Sequence, residues 1–328
     1  MSKTRWAILG PGVISGNFAD SLEHARLGDL YAVGSSNADR AATFAGERGA
    51  MVSGTYQEIL ERDDVDAVYI GTVHTTHAEL AIAALNAGKA VLCEKPVTPT
   101  LEATAEVIAV ATTSGRPFLE AYKFRFGPLA DELRSVILRG DIGTPQRLDA
   151  SFGFAAVERT GRVFEASLAG GAILDVGGYP VSLAVGIAAA AGLTGNGPVL
   201  VTGVEGEVDA HDVDLWANAD ITFGGFVASV HTSIISELTQ SARLYGTDGW
   251  IDFPDIWGSR SESGTTFTVH PTDGEPRVVV VDAVDPMAAE ADAISLAIAE
   301  DRSEVPEMTW DESIIVAAAL ADWRRGLV

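Results

Sequence analysis

The chain has 328 residues, of which 47% are hydrophobic, and this length allows two packed domains. Its formal net charge of −24 repels phosphate backbones and anionic lipid, which argues against general nucleic-acid or membrane binding. The single cysteine, Cys93, cannot form an intrachain disulfide, which favours a cytoplasmic location. The N-terminal residues do not resemble a signal peptide, and the most apolar stretch, 184–193, is too short to predict a membrane span.

Residues 1–120 alternate short apolar runs with helical patterns. Trp6–Leu9 begins the series, and similar runs recur near residues 30–35, 67–72 and 90–94. Unbroken apolar runs separated by helices are typical of a parallel sheet that is covered on both faces. We therefore predict a doubly wound α/β domain over this half of the chain.

Residues 121–328 contain strand-like runs in succession, and Gly224-Gly225 between two of them indicates a hairpin. Helical patterns flank these runs; they cover residues 129–138, residues from about 172, residues 287–299 and residues 312–325. This order predicts an α+β domain in which a large, open, mainly antiparallel sheet carries helices on one face. The domain boundary is placed near residue 120.

A glycine-rich turn follows the first apolar run. Gly10 permits a tight turn, and Gly12 lets the backbone approach a pyrophosphate that rests on a helix N-terminus. Ser15 stands where a third glycine is common, and a purely structural turn is the alternative interpretation. The residues predicted to contact a dinucleotide here are Gly10, Gly12, Val13 and Ile14.

The residues after the second predicted strand indicate which dinucleotide is bound. An NAD site usually has a carboxylate there for the ribose 2′-hydroxyl. This chain has Ser35, Ser36 and Asn37 instead, and Arg40 follows one helical turn later. Hydroxyls with a guanidinium suit a 2′-phosphate, so we predict NADP. The alternative is that Arg40 is a solvated helix residue.

Lys95 follows the fifth predicted strand, at the edge where open α/β sheets bind ligands. Pro96 restricts the turn, which favours an aimed lysine over an ordinary surface lysine. Other residues near strand ends are predicted to contact the cofactor as well: Thr72, His74, His77 and Glu94. His74 and His77 have no carboxylate or cysteine at ligand spacing, so no metal site is predicted.

Asp175 and Tyr179 lie in an apolar helical stretch and are four residues apart, which predicts one shared helix face. Burial of two polar side chains on an apolar helix face is unfavourable unless each has a hydrogen-bonding partner. Gly177 and Gly178 between them weaken a helix, which suggests the close approach of a ligand or of another backbone. A satisfied buried aspartate and a core tyrosine are the alternative.

The segments AGKAVLCEKP and GGAILDVGGYPVS together resemble the Gfo/Idh/MocA oxidoreductases. A tyrosine four residues after the aspartate is similar to the branch with dimeric dihydrodiol dehydrogenase and NADP-dependent D-xylose dehydrogenase. The resemblance implies a Rossmann domain, a second domain whose open sheet packs on a partner subunit, and a cis peptide between Lys95 and Pro96. It implies catalytic functions for Lys95, Asp175 and Tyr179, and no metal. Val73 and Gly178 depart from the family pattern.

By this resemblance the chain transfers hydride between nicotinamide and a CH–OH carbon of a sugar, cyclitol or diol. Tyr179 is the expected acid/base, and an adjacent Lys95 ammonium would favour its phenolate form. Asp175 would position Lys95 or a substrate hydroxyl. Further candidates for substrate contacts are Lys123, Arg125, Phe152, Arg162 and Phe164. A non-catalytic dinucleotide sensor and a keto-sugar reductase are the alternatives.

The alternation of the strand runs also predicts association. Trp216, Val227, Ser229 and His231 are expected on a sheet face that needs cover. A homodimer, or a dimer of dimers, would provide it.

Overall fold

The computed structural model describes residues 3–257 and 265–327. They cluster into two compact units: the first comprises Met1–Lys123 with Asp285–Ser313, and the second comprises Phe124–Val284 with Ile314–Val328. The sequence-based boundary at residue 120 lies close to Lys123. The structure differs at 285–313, which the sequence pattern assigns to the second domain, because the helix in this segment packs on strands of the first unit.

Apart from the short helix Tyr56–Leu60, which the sequence pattern does not predict, the helices of the described chain fall at the positions of the apolar helical patterns. They are α1 (Val13–Leu22), α2 (Ala38–Arg48), α3 (Tyr56–Leu60), α4 (His77–Asn86), α5 (Leu101–Ser114), α6 (Pro128–Arg139), α7 (Gly178–Ala190), α8 (Pro286–Ala299) and α9 (Trp310–Gly326). Their ends follow from local chemistry. The Asn37 side chain accepts a hydrogen bond from the Arg40 amide and so caps α2, which ends at the left-handed Gly49.

The first unit contains a six-stranded parallel sheet. Its strands are β1 (Thr4–Leu9), β2 (Gly28–Ser35), β3 (Val52–Thr55), β4 (Ala67–Ile70), β5 (Ala90–Glu94) and β6 (Phe118–Ala121), in the order β3-β2-β1-β4-β5-β6. Ile8, Val68 and Leu92 are fully buried, as expected of strands covered on both faces. The doubly wound prediction is confirmed. The strand order reverses between β1 and β4, so their carboxyl ends border the crevice where such sheets bind ligands.

The second unit contains an eight-stranded sheet in the order β14-β13-β12-β11-β7-β10-β9-β8. Its strands are β7 (Pro145–Gly153), β8 (Val199–Val208), β9 (Asp214–Phe223), β10 (Phe226–Ser233), β11 (Ala242–Gly246), β12 (Gly249–Phe253), β13 (Thr266–Pro271) and β14 (Arg277–Val280). The pairing is antiparallel except between β7 and β10, which confirms a mainly antiparallel sheet. Gly224-Gly225 forms the predicted hairpin between β9 and β10.

One face of this sheet is packed and the other is open. Along β9, the buried residues Leu215, Ala217 and Ala219 alternate with the partly exposed Trp216 and Asn218. The stretch Ala166–Ala190 has the length and mean hydropathy, 1.6, of a membrane-spanning helix, but 89% of its apolar window is buried inside the fold. Such burial is typical of the core helix of a globular domain.

Candidate functional site

The glycine turn joins β1 to α1 in a conformation that requires Gly10. This residue has φ +90°, and a Cβ there would lie 2.3 Å from Cγ2 of Thr72. Ser15, which replaces the usual third glycine, is buried and donates a hydrogen bond of 2.7 Å to the Gly10 carbonyl oxygen. The serine therefore stabilises the turn.

The reason for a glycine at position 12 differs from that at position 10. A Cβ at this position would have no atom within 4 Å, so packing within the protein does not require glycine. No side chain caps the N-terminus of α1, and Val13 is 88% exposed. The first amides of α1 thus face open space beside a backbone without a side chain. A pyrophosphate fits this surface, because it needs close backbone approach and a helix N-terminus.

Ser35, Ser36 and Arg40 meet at the end of β2. The Arg40 guanidinium donates from Nε and Nη2 to Oγ of the buried Ser35, over 3.1 and 3.0 Å, and Nη2 is 3.5 Å from Oγ of Ser36. Arg40 itself is exposed. The hydroxyls and the guanidinium predicted to bind a 2′-phosphate therefore form one cluster.

His77 is buried beneath the strand-end loops. Its Nδ1 lies 2.9 Å from the Pro96 carbonyl oxygen and its Nε2 lies 3.2 Å from that of Thr72. Burial lowers the pKa of this imidazole, and the neutral ring donates to only one of the two carbonyls. The prediction that His77 lines the cofactor surface needs correction, because the ring is fully buried and links two loops.

His74 begins a short 3₁₀ turn before α4 and is 4% exposed. Its ring meets that of His77 edge-on, with 5.8 Å between centroids. Within residues 3–257 and 265–327, no group of three potential metal-ligating side chains was found.

The turn after β5 presents Glu94, Lys95 and Pro96. A hydrogen bond of 2.7 Å from the Tyr69 hydroxyl fixes the Glu94 carboxylate. Burial raises the pKa of Tyr69, so this hydroxyl stays protonated and remains a donor. The peptide between Lys95 and Pro96 is cis, which confirms the expectation from the resemblance, and the Lys95 side chain is half-buried.

In the second unit, Asp175 lies on a π-helical turn, Ile173–Gly177, that leads directly into α7. The sequence pattern predicts one continuous α-helix here, whereas the structure begins this segment with a wider π-helical turn. Asp175 and Tyr179 are buried, at 6% and 9% exposure. A Cβ at Gly177 would lie 3.1 Å from Cζ3 of Trp323, so a core tryptophan approaches this glycine closely.

Arg162 contacts Asp175 directly. Its Nη2 donates to Asp175 Oδ1 over 2.6 Å, from a short 3₁₀ turn at Arg162–Phe164. The Arg162 side chain is 40% exposed and that of Asp175 is 8% exposed, so the ion pair reaches from the surface to a buried carboxylate. Sequence reasoning named both residues but did not pair them.

Tyr179 belongs to an aromatic cluster of the second unit. Phe152 meets the tyrosine ring edge-on at 5.0 Å between centroids, Trp257 at 5.8 Å, and Phe124 lies at 5.9 Å. The Trp257 indole donates to the Ser151 carbonyl oxygen over 2.7 Å. Phe124 and Trp257 were missed in the sequence, where no local pattern connects them with Tyr179.

Other predicted substrate residues are placed differently. Arg125 is 7% exposed, and its Nη1 donates to the Ser182 carbonyl oxygen over 3.1 Å. This hydrogen bond holds the buried guanidinium against α7 and stabilises the second unit. The prediction that Arg125 contacts substrate therefore needs correction. Phe164 packs against a small apolar core cluster that includes Val213. Lys123 is half-buried at the end of the first unit.

Comparison with family models gives two matches that together cover most of the chain. Residues 4–122 match the model described as "Oxidoreductase family, NAD-binding Rossmann fold". Residues 130–252 match the GFO/IDH/MocA C-terminal domain. The chain belongs to the Gfo/Idh/MocA oxidoreductase family. It is an oxidoreductase with a Rossmann domain for a nicotinamide dinucleotide, as the glycine turn and Lys95 motif predict.

Similar proteins agree with this family. The scyllo-inositol 2-dehydrogenase (NADP(+)) IolU of Bacillus subtilis is 31% identical, with 98% of this chain and 96% of the relative covered. The trans-1,2-dihydrobenzene-1,2-diol dehydrogenase of Xenopus tropicalis is 30% identical over 79% of this chain and 78% of the relative. The 3-ketoreductase KijD10 of Actinomadura kijaniata, solved with NADP and TDP-benzene, is 26% identical, has a TM-score of 0.87, and aligns over 99% of this chain and 98% of its own.

Proposed function

We propose that this protein is an NADP-dependent oxidoreductase that transfers hydride between nicotinamide and a CH–OH carbon of a sugar, cyclitol or diol. The observation that carries the proposal is a buried tyrosine, Tyr179, which follows the buried, arginine-paired Asp175 in a chain with a dinucleotide-binding turn. The named activities of the inositol and dihydrodiol dehydrogenases support this substrate class.

Residues of the first unit would hold the cofactor. The backbone at Gly10 and Gly12 and the N-terminus of α1 would bind the pyrophosphate, while the exposed Arg40, held by the buried Ser35, would bind the 2′-phosphate together with Ser36. When bound, the nicotinamide accepts or supplies the hydride. The protein must bind the substrate, orient it and exchange the hydroxyl proton.

The remaining chemistry falls to Lys95, Asp175 and Tyr179. Tyr179 exchanges the proton of the reacting hydroxyl at its phenolic oxygen. Lys95 donates a hydrogen bond to the reacting oxygen and balances charge that develops there. Asp175, oriented by Arg162, accepts a hydrogen bond from a neighbouring substrate hydroxyl. The half-buried Phe152 beside Tyr179 offers apolar surface to the carbon face of a ring.

A substrate screen tests the proposal. NADPH formation is measured over a panel of aldoses, inositols and cyclic diols, and NADPH consumption over the matching ketones and keto-sugars. We expect turnover in at least one direction with a substrate that carries adjacent hydroxyls. NADP binding without turnover across the panel would instead support a non-catalytic sensor.

Arg40 is expected to determine most of the preference for NADP. Arg40→Ala should lower the affinity for NADP by about ten- to hundredfold, because charge-assisted hydrogen bonds to the phosphate contribute roughly 1.5–3 kcal/mol. Affinity for NAD should change little, and the preference of the native protein should weaken as salt screens the contact. Isothermal titration with both cofactors measures these effects.

Arg116→Ala is the matched control, since it removes an exposed arginine just before β6, an edge strand that β1, β4 and β5 separate from β2. Equal native affinities for NAD and NADP, or a preference that Arg40→Ala leaves intact, would contradict the assignment.

We also infer a cytoplasmic homodimer, or a dimer of dimers, that associates through the open sheet face. On this face Arg147 donates to the Ser229 hydroxyl over 2.9 Å, and Ser229 donates to Asp220. Trp250 and His270 stack with their centroids 3.6 Å apart. Interfaces between protein subunits are rich in aromatic side chains and arginine, so these residues can pack against a second subunit. The buried thiol of Cys93 is compatible with a reducing compartment.

Val227→Glu should prevent this association, because Val227 lies centrally on the open face, in register with Thr222 and Arg147. In a symmetric dimer both copies would carry the introduced carboxylate into the interface, and burial of these charges disfavours the dimer. Light scattering at micromolar concentration should show a dimer for the native chain and a monomer for the variant. Leu138→Glu, on the exposed side of α6, is the control that should remain dimeric. A monomeric native chain would refute the inference.

A further inference from the structure

A second buried carboxylate lies against the turn that carries Asp175. Asp214, the first residue of β9, is 5% exposed, and its Oδ2 accepts a hydrogen bond of 2.6 Å from the Ile173 amide. Ile173 is the first residue of the π-helical turn. Amides at the start of a helix have no partner within the helix, so Asp214 acts as its cap from a distant strand.

Two glycines, Gly170 and Gly171, precede the turn, and each lies close to a neighbour that leaves no room for a side chain. Gly171 has φ +114°, and a Cβ there would lie 2.1 Å from Asp214 Oδ1. A Cβ at Gly170 would lie 2.6 Å from the carbonyl oxygen of Arg162. Any side chain at Gly171 would displace the carboxylate from the amides, whereas one at Gly170 would push away the segment that carries Arg162. The pair is therefore needed to seat the turn between Asp214 and Arg162.

We propose that Asp214 is a positioning residue for the reaction, whose ionised carboxylate holds the turn that aims Asp175. The proposal rests on the proposed function of Asp175 as a substrate-binding group. Asp214 is connected to Asp175 through the backbone of Ile173–Gly177, and Arg162 contacts the carboxylate of Asp175. Loss of the cap would free the turn without removing any group that touches substrate.

The electrostatics of Asp214 make this cap sensitive to pH. Burial raises its pKa to about 6, against the opposing effect of the backbone amide of Ile173 and the charge of Arg324 on α9. Arg162 and Asp175 lie on the side of the turn, and Asp209 and Asp212 lie in the loop before β9. A protonated carboxyl accepts amide hydrogen bonds less strongly than a carboxylate. The cap should therefore weaken as the pH falls through about 6.

The effect on stability has the opposite sign. The folded-state pKa of about 6 lies above the ordinary value of 3.8, so the folded protein binds this proton more tightly than the unfolded chain. Asp214 thus contributes stability below pH 3.8, and this contribution is lost as the pH rises through about 6. Loss of activity below pH 6 would consequently not arise from unfolding driven by this group.

The test compares Asp214→Asn with Asp214→Val over a range of pH. Asparagine keeps an acceptor oxygen but is neutral and cannot titrate, so kcat should stay at the level of the protonated native protein at all pH values, without an acid limb near pH 6. KM for NADP should stay unchanged. Valine removes the acceptor, so kcat should fall at all pH values, by about tenfold or more. Asp212→Asn, at an exposed loop residue with φ +61°, is the matched control and should retain the native profile.

Hydrogen exchange gives a readout that does not depend on activity. Amides of residues 172–176, corrected for intrinsic rates, should lose protection below about pH 6 in the native protein and keep constant protection in Asp214→Asn. An acid limb unchanged in Asp214→Asn, or protection that does not vary with pH, would overturn the proposal. If the panel of substrates gives no turnover, the exchange result still decides whether Asp214 caps the turn, so failure of the proposed function is distinguished from failure of this inference.

Discussion

Tyr179→Phe is expected to lower kcat by about 10²–10⁴-fold, the usual contribution of a positioned acid/base group. The substitution removes only the phenolic oxygen. The ring stays in its contacts with Phe152 and Trp257, so the aromatic cluster and the fold should be preserved. Steady-state kinetics with the substrate found in the screen would measure the loss, and KM should change much less than kcat.

Two controls accompany this prediction. Tyr56→Phe removes a hydroxyl from a half-buried tyrosine at the start of α3, and its kinetics should match those of the native protein. Binding of NADP to Tyr179→Phe should be unchanged, because the residues proposed to hold the cofactor lie in the first unit. Turnover that survives nearly intact in Tyr179→Phe would assign the proton transfer to another group.

Lys95→Met is expected to reduce kcat/KM by about 10²–10³-fold, as removal of one hydrogen-bond donor to a reacting oxygen commonly does. Methionine keeps much of the length and apolar volume of lysine, so the turn before Pro96 should stay packed. Lys95→Arg keeps the charge but presents a planar fork, and we expect only partial activity because the geometry of the donor differs.

Lys3→Met serves as the control for loss of one positive charge. Lys3 pairs with Asp29 on the surface, where such ion pairs contribute little to stability. The control variant should therefore keep both stability and turnover. If Lys95→Met retains native kcat/KM while Tyr179→Phe is inactive, Lys95 does not contact the reacting oxygen, and the proposed division of functions would have to change.

Local sequence was sufficient for the main parallel strands of the first unit and for the start of the cofactor site, whereas the structure alone assigns the helix Pro286–Ala299 to that unit. Buried parallel strands have apolar residues on both faces, so their runs stand out without any knowledge of partners. Ser15 donates a hydrogen bond to Gly10, and Arg40 donates to Ser35, each to a residue five positions earlier in the chain. Contacts of this range depend on local backbone geometry, which the sequence determines almost directly.

In the second unit, local sequence predicts some features but not others. The strand runs and the hairpin at Gly224-Gly225 follow from period and turn chemistry. The π-helical turn does not, because one extra residue per turn leaves the spacing of apolar residues nearly unchanged over five positions. His77 and Arg125 were expected in binding surfaces, yet their ring and guanidinium bind carbonyl oxygens in the interior. A polar side chain with a buried partner looks the same in sequence as one that meets a ligand.

The sequence by itself determined the family, the alternation of strands and helices in the first half, the glycine turn and the identities of Lys95, Asp175 and Tyr179. Only the tertiary structure decided how these groups are supported. Asp214 caps a turn 41 residues away, and Trp257 reaches Tyr179 from another part of the second unit. The physical reason is that side-chain pairing across a sheet depends on how strands and helices pack. Local propensity and spacing report which elements form, but they do not report which distant carboxylate or ring will lie beside them.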